Sequence, residues 1–207
     1  MRCGGGIQTH VNALTLVMRP LVDAPVSTAV DRTDAELVSR AQRGDYDALE
    51  LLVRRHKDAV FAVAYRIVGD RDTAEDVAQE ALLRACRQIG RFRAEAAFTT
   101  WLYSITVNAA REHLRSERRR QARWERQTVL ETSPAPADDP VLDDGPLAAL
   151  LRELPEKHRI ALALFYVEEL SLQQISQAAG APVGTVKAWL SRGREQLRRL
   201  AEEKGIV

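Results

Sequence analysis

Residues 171–199 read SLQQISQAAGAPVGTVKAWLSRGREQLRR. At the head of this stretch Ser171 is placed to accept a hydrogen bond from a free backbone amide, while Gln174, three positions on, reaches back: the reciprocal pair of a capping box. The short helix so opened turns Leu172, Ile175 and Ala178 inward, and Gly180 supplies the turn. A second helix is expected from Gly184 or Thr185. It buries Val186, Leu190, Leu197 and Leu200 and leaves Lys187, Ser191, Arg192, Arg194, Arg198 and Arg199 outward. This succession is that of a helix-turn-helix, whose second helix fits the DNA major groove. Residues near the amino end of that helix then reach base edges, and Arg198 and Arg199 hold phosphates. Pattern alone also suits an ordinary amphipathic helix whose basic face is merely solvated.

Upstream, a short apolar helix is expected over Leu147–Leu154, a break at Pro155, and a further helix bearing Ile160, Leu164, Phe165 and Val167. Before these, Pro134, Pro136, Pro140 and Pro146 remove amide donors and fix φ, so no regular helix passes and a domain boundary is expected. The first half is also helical. Leu49, Leu52, Val53, His56, Val60, Val63, Ala64 and Ile67 recur at spacings of three and four, and Gly69 ends that helix. The next is expected to open at Asp72 with Glu75 completing a capping box, burying Ala74, Val77, Ala78, Ala81, Leu82, Ala85 and Ile89. A third starts after Thr99 or Thr100, with Trp101, Leu102, Ile105 and Ala109 inward and Ser104, Asn108, Arg111, Arg115, Arg118 and Arg119 on the opposite face. Neither a period-two strand nor an internal repeat is found. The fold expected is all-α, two small helical domains joined by a flexible, acidic, proline-rich linker. Its parts are a flexible leader over 1–30, a first domain over 31–122, a linker over 123–146 and a second domain over 147–204. The leader carries Gly4-Gly5-Gly6, Pro20 and Pro25, and Met18 is an alternative start of translation.

The formal net charge of +1 over 207 residues conceals an uneven distribution. Arg111 to Arg126 holds seven arginines against Glu112, Glu117 and Glu125, and Gly184 to Lys204 holds six basic residues against three glutamates. Between them, Gln127 to Pro146 carries Glu131, Asp138, Asp139, Asp143 and Asp144 with no basic residue. Two cationic surfaces on an acidic tether imply two contacts with a polyanion, because Lys and Arg at phosphates release condensed counterions. Cys3 and Cys86 are the only cysteines, which supports neither a disulfide framework nor a zinc site and suits a reducing cytoplasm. No metal and no cofactor is expected. The acidic residues Asp70, Asp72, Glu75, Asp76 and Glu80 are the one alternative metal cluster, weakened by the capping work of Asp72 and Glu75. The longest early apolar stretch, Val11 to Val22, is interrupted by Asn12, Arg19 and Pro20, so no membrane insertion is expected. Trp101, Tyr103 and Trp124 beside the arginine run suit stacking on unpaired bases, although Trp101 at the head of an apolar stripe equally suits the core.

Four segments, in order, resemble the extracytoplasmic-function group of the sigma-70 family. Residues 34–56 (DAELVSRAQRGDYDALELLVRRH), 69–92 (GDRDTAEDVAQEALLRACRQIGRF) and 96–120 (AAFTTWLYSITVNAAREHLRSERRR) are similar to the sigma-2 domain. Residues 151–199, LRELPEKHRIALALFYVEELSLQQISQAAGAPVGTVKAWLSRGREQLRR, are similar to the sigma-4 domain. The resemblance implies a transcription initiation factor, not an enzyme, that binds core RNA polymerase through its β′ clamp helices and β flap and reads promoter DNA. Asp76, Gln79, Glu80, Leu83 and Arg84 match the helix that docks on the clamp helices. Arg93, Phe98, Thr99 and Trp101, with the helix face of Ser104, Asn108, Arg111, Arg115, Arg118 and Arg119, match the part that captures a flipped base of the -10 element and holds the non-template strand. Melting then follows from binding energy, since a pocket for an unstacked base favours the open strand. Thr185, Lys187, Ala188, Ser191, Arg192 and Arg194 match the positions that face the -35 element. The linker would pass near the RNA exit path, and an anti-sigma factor sandwiched by the two domains is common in the family. The chain departs from the family pattern at Trp189, at Gly193, where Ala is common, and at Ala94 to Ala97, where Gly and Ser are usual.

With no dimerisation heptad, a monomer is expected when the chain is free. Two rivals stand beside this reading. A stand-alone helix-turn-helix regulator would bind duplex DNA without polymerase, usually as a dimer on a palindrome. A metal-dependent nuclease would lose hydrolysis on substitution of Asp76 and Glu80. Cys86 is expected as a small apolar residue of the interior.

Overall fold

The computed structural model describes residues 28–127 and 145–206. Their regular structure is helical: α1 (Thr28–Gln42), α2 (Tyr46–Val68), α3 (Arg71–Gln88), a 3₁₀ turn (Ile89–Arg91), α4 (Phe98–Gln127), α5 (Gly145–Arg152), α6 (Glu156–Tyr166), α7 (Leu172–Ala179) and α8 (Val183–Glu203). The expected all-α class is thus observed. Most of the leader and the centre of the linker, 1–27 and 128–144, lie outside the described residues. α1 begins inside the expected leader, and α4 continues to Gln127 past the expected boundary at 122.

Local chemistry sets the helix ends. Asp45 caps α2, accepting from the Ala48 amide at 3.1 Å, and Gly69 closes it in the left-handed region at φ 85°, donating its N–H to the Tyr65 carbonyl at 2.7 Å. The capping box at Asp72 is not formed. Asp70 is the N-cap of α3, accepting from the Thr73 amide at 2.8 Å, which places Asp72 inside the first turn, where its charge still meets the positive end of the helix dipole. Glu75 pairs instead with Arg71 on the same helix, at 3.2 Å. In α7 the box does form, Gln174 N to Ser171 Oγ at 3.3 Å and Ser171 N to Gln174 Oε1 at 2.9 Å. Gly180 then turns the chain at φ 64°. α8 starts at Val183, one or two residues earlier than expected, after Pro182.

The first unit packs α1 to α4 around Leu52, Val60, Val63, Ile67, Ala74, Val77, Leu102 and Val107. Leu49, Val53 and Leu82 are only half-buried, while Ala48 and Tyr65 join the buried set of α2. Asp34 of α1 is buried with it, 1% exposed. It accepts from Arg55 and meets His56 Nε2 at 2.8 Å, so a polar clasp fixes α1 on α2. The second unit packs α5 to α8 around Leu150, Ile160, Leu164, Ile175, Val186, Leu190 and Leu197. Phe165 and Leu200 lie at its margin, and Val167 is past the end of α6 and 36% exposed. Gly193 is where α6 and α8 come closest. A Cβ there would stand 3.1 Å from both His158 Cβ and Leu162 Cδ1, which accounts for Gly in place of the family's Ala.

The two units pack on one another, α7 along α4, and α5 with α6 against α2. Arg152 of α5 lies across Gly69, where a Cβ would come within 2.8 Å of its Cγ, and donates to the Tyr65 hydroxyl at 3.1 Å.

Candidate nucleic-acid interface

α4 begins against an aromatic cluster. Phe92, Phe98 and Trp101 lie with ring centroids 5.1 to 5.9 Å apart, and His56 lies 5.4 Å from Phe98. Phe98 is buried behind Phe92 and Trp101 and offers no surface for DNA; Thr99 is half-buried and Arg93 exposed. Trp101 packs against the core on one side and lines a cavity of about 320 Å³ on the other. The cavity is further bounded by Arg91, Arg93, Glu95, Ser104 and Gln177. Its wall includes Thr100, whose hydroxyl is buried and has no hydrogen-bond partner among the described residues. Ala94 stands at φ 56° in the loop above. A loop of small residues beside flat rings suits a planar group.

Below the cavity, α4 presents Asn108, Arg115, Arg118 and Arg119 exposed and Ser104 half-buried. Arg111 departs from the outward position expected of it. Its side chain is 18% exposed, lying 3.6 Å from Glu156 and donating to the Ala179 carbonyl at 2.8 Å. Burial lowers its pKa, with Glu156 opposing. Arg118 reaches the same carboxylate at 3.2 Å. Tyr103, expected beside the arginine run as a stacking ring, is buried and donates its hydroxyl to Glu168. Burial pushes that phenol up, and Glu168 pushes it further. The carboxyl of Glu168 is itself raised by burial, against the Tyr103 hydrogen bond and the charges of Arg66 and His56. Glu156, Glu168 and Gln177 escaped the sequence reading. Only their place beside α4 gives them a role, and no local motif marks it.

On α8, Lys187, Ser191 and Arg192 are exposed, and Thr185, Ala188 and Arg194 are half-buried. None of them belongs to the buried set of the helix, which includes Val186, Leu190 and Leu197. Arg198 and Arg199 pair with Glu195, Glu202 and Glu203 along the helix, at 2.5 to 4.0 Å. The outer face of α3 holds Asp76, Gln79 and Leu83 exposed. Arg84 donates to Glu80 at 2.7 Å and meets Glu112 of α4 at 2.7 Å. These residues rim a groove of about 330 Å³ between α3 and α4 that Asp76, His113 and Ser116 also line. Hydrogen bonding by Arg84 lowers the Glu80 carboxyl against a weaker opposing effect of burial. Among the described residues no group of three metal-ligating side chains assembles, and no helix is long and apolar enough to cross a membrane.

A capped helix-turn-helix with a basic outer face, set beside a second helical unit with an aromatic-walled cavity and an arginine row, defines a DNA-binding protein of transcription. The comparisons narrow this class. Residues 52–120 match the family Sigma-70 region 2 and residues 145–197 match Sigma-70, region 4. The chain is 38% identical over 178 residues to the RNA polymerase sigma-H factor of Pseudomonas aeruginosa, covering 79% of this chain and 91% of that one. It is 34% identical over 177 residues to the ECF RNA polymerase sigma factor SigW of Bacillus subtilis, covering 78% and 93%. Its fold is similar to CnrH in complex with the cytosolic domain of CnrY, with a TM-score of 0.62, 23% identity, and 83% of this chain and 98% of that one covered. It is also similar to the sigma factor RpoE in complex with the anti-sigma factor NepR from Bartonella quintana, with a TM-score of 0.61, 25% identity, and 74% and 96% covered. The chain belongs to the extracytoplasmic-function group of the sigma-70 family and is a promoter-directing sigma factor.

Proposed function

We propose that the chain carries out promoter recognition with the residues that the sequence singles out, divided between its two units. The first unit, 31–122, docks on the β′ clamp helices of core RNA polymerase through Asp76, Gln79, Glu80, Leu83 and Arg84. It holds the -10 element in the cavity walled by Trp101 and Thr100 and along Ser104, Asn108, Arg111, Arg115, Arg118 and Arg119. The second unit, 147–204, meets the β flap and lays α8 on the -35 element through Thr185, Lys187, Ala188, Ser191, Arg192 and Arg194, the linker 123–146 lying between the units. Catalysis stays with the polymerase, and the factor acts in the cytoplasm under anti-sigma control. The observation that carries this reading is the cavity: an aromatic wall at the head of an arginine-bearing helix suits an unstacked base whose phosphates run along that helix.

The test is run-off transcription from a promoter library with purified bacterial core polymerase, comparing the chain with a D76K/E80K variant. Initiation that needs the chain, and falls about tenfold or more in the variant, is the expected result. Tight duplex binding by the chain alone, without polymerase-dependent initiation, would replace this reading with that of a stand-alone regulator.

A further inference from the structure

Arg84, which the sequence assigns to docking, is already engaged within the first unit. Its Nε donates to Glu80, one turn earlier on α3, at 2.7 Å, and its Nη1 lies 2.7 Å from Glu112 Oε2 on α4. The Arg84 side chain is 30% exposed, whereas that of Glu112 is 57% exposed. This bridge closes one end of the groove of about 330 Å³ between the two helices. The floor of the groove is apolar, formed by Val77 and Ala109, both buried. Its rim carries the carboxylates of Asp76 and Glu80 from α3 and of Glu112 from α4, against the single guanidinium of Arg84. His113 and Ser116 complete the α4 side. An apolar floor under an acidic rim fits a long side chain that lays its hydrocarbon stem along the floor and brings a cation to the rim.

We propose that core polymerase places a lysine or arginine side chain in this groove, and that Glu112 is a positioning residue for docking, fixing through Arg84 the carboxylate of Glu80 that meets the cation. The inference rests on the docking role given to α3 above. A glutamate on a helix surface samples several rotamers, and ordering it on binding costs conformational entropy. Here that cost is met before the partner arrives, because Arg84 holds Glu80 and is itself held by Glu112 from the neighbouring helix. Arg84 therefore serves docking from within the surface, as the link between two carboxylates. The docking surface accordingly spans α3 and α4, and Glu112 and Ser116, to which the sequence gave no role, belong to it.

The experiment measures the affinity of the full chain, carrying a dye at its amino terminus, for purified bacterial core polymerase by fluorescence anisotropy. Circular dichroism fixes an assay temperature at which every variant is fully folded, so that stability alone does not move the affinity. D76K/E80K tests the docking role of α3 and is expected to bind about tenfold or more weakly. E112Q, R84A and E112Q/R84A form a double-mutant cycle. Each single variant is expected to bind about 3- to 10-fold more weakly than the parent, and the double variant no more weakly than R84A, because Glu112 acts through Arg84. S116K sets a cation into the groove from the α4 side and is expected to weaken binding by about the same factor. With D76K/E80K weakened, an E112Q variant that binds like the parent would overturn the proposal. So would losses at E112Q and R84A that multiply in the double variant, or S116K binding like the parent. If D76K/E80K itself binds like the parent, the docking role of α3 fails, and the inference fails with it.

Discussion

Asp34 and His158 are each almost wholly buried, one in each unit, but they are held in different ways. Asp34 is shared by Arg55 and His56, so its charge is matched inside the first unit. His158 meets Gln196 through Nδ1 at 2.8 Å, while its Nε2, like Nε of the adjacent buried Arg159, has no partner among the described residues. The first unit is thus specified by a paired charge between helices, the second by shape, through the close approach at Gly193. A paired buried charge is costly to break from one side, because the remaining partners stay desolvated and unmatched.

The largest effect is therefore expected at Asp34. Asp34→Asn leaves Arg55 and buried His56 without their carboxylate and should destabilise the chain by about 3 kcal/mol in urea unfolding at neutral pH. Burial by itself raises the Asp34 carboxyl, yet the hydrogen bonds and charges of His56 and Arg55 outweigh it and hold the group below its ordinary 3.8. A carboxyl depressed by folding contributes stability that is complete above its unfolded value and is lost as pH falls through its folded value. The parent and Asp34→Asn should accordingly differ most above about pH 4 and converge in stronger acid. Equal stability at pH 7 would break the contrast between the units.

At Gly193 a smaller effect is expected, and of another kind. Ala favours a helix interior by about 1 kcal/mol over Gly, but its methyl would stand 3.1 Å from His158 Cβ, which is fixed to the backbone of α6. Overpacking of that sort costs about 1 to 3 kcal/mol. Gly193→Ala should thus lower stability by about 1 kcal/mol, with little change in pH dependence. A rise in stability would show that α6 and α8 part easily and that the second unit is not specified by this approach.

What was legible in the sequence follows the same division. The helices, the capping box at Ser171 and the turn glycines depend on neighbours a few residues away, and period and spacing reveal them. The N-cap of α3 was misplaced because Asp70 and Asp72 both suit the position, and only the Thr73 amide, 2.8 Å from Asp70, separates them. The interface residues were legible as charges, not as contacts. Arg111 and Arg115 have the same type and spacing along α4, yet one is enclosed by Glu156 and Ala179 from far along the chain and the other faces solvent. Phe98 shows the same limit, since an aromatic residue at a helix start reads alike whether it faces a base or the core.

The two basic surfaces supply the last and smallest contrast. Arg192 on α8 is exposed, so its phosphate contact would be available in the free chain and in the polymerase-bound one alike. Each phosphate neutralised adds about 0.9 to the slope of log affinity against log salt on duplex DNA and about 0.7 on single strands. Arg192→Ala should then reduce the duplex slope by about 1 in both states. Arg111 is already neutralised by Glu156 when the units are together. Its replacement by Ala should leave the slope of the free chain on single strands nearly unchanged and reduce it by about 0.7 for the polymerase-bound factor on a promoter whose strands are apart. Salt titrations by anisotropy measure all four slopes. If Arg111→Ala lowered the slope of the free chain as much as that of the bound one, Arg111 would be open to DNA in both states, and the difference between a covered and an uncovered arginine face would disappear.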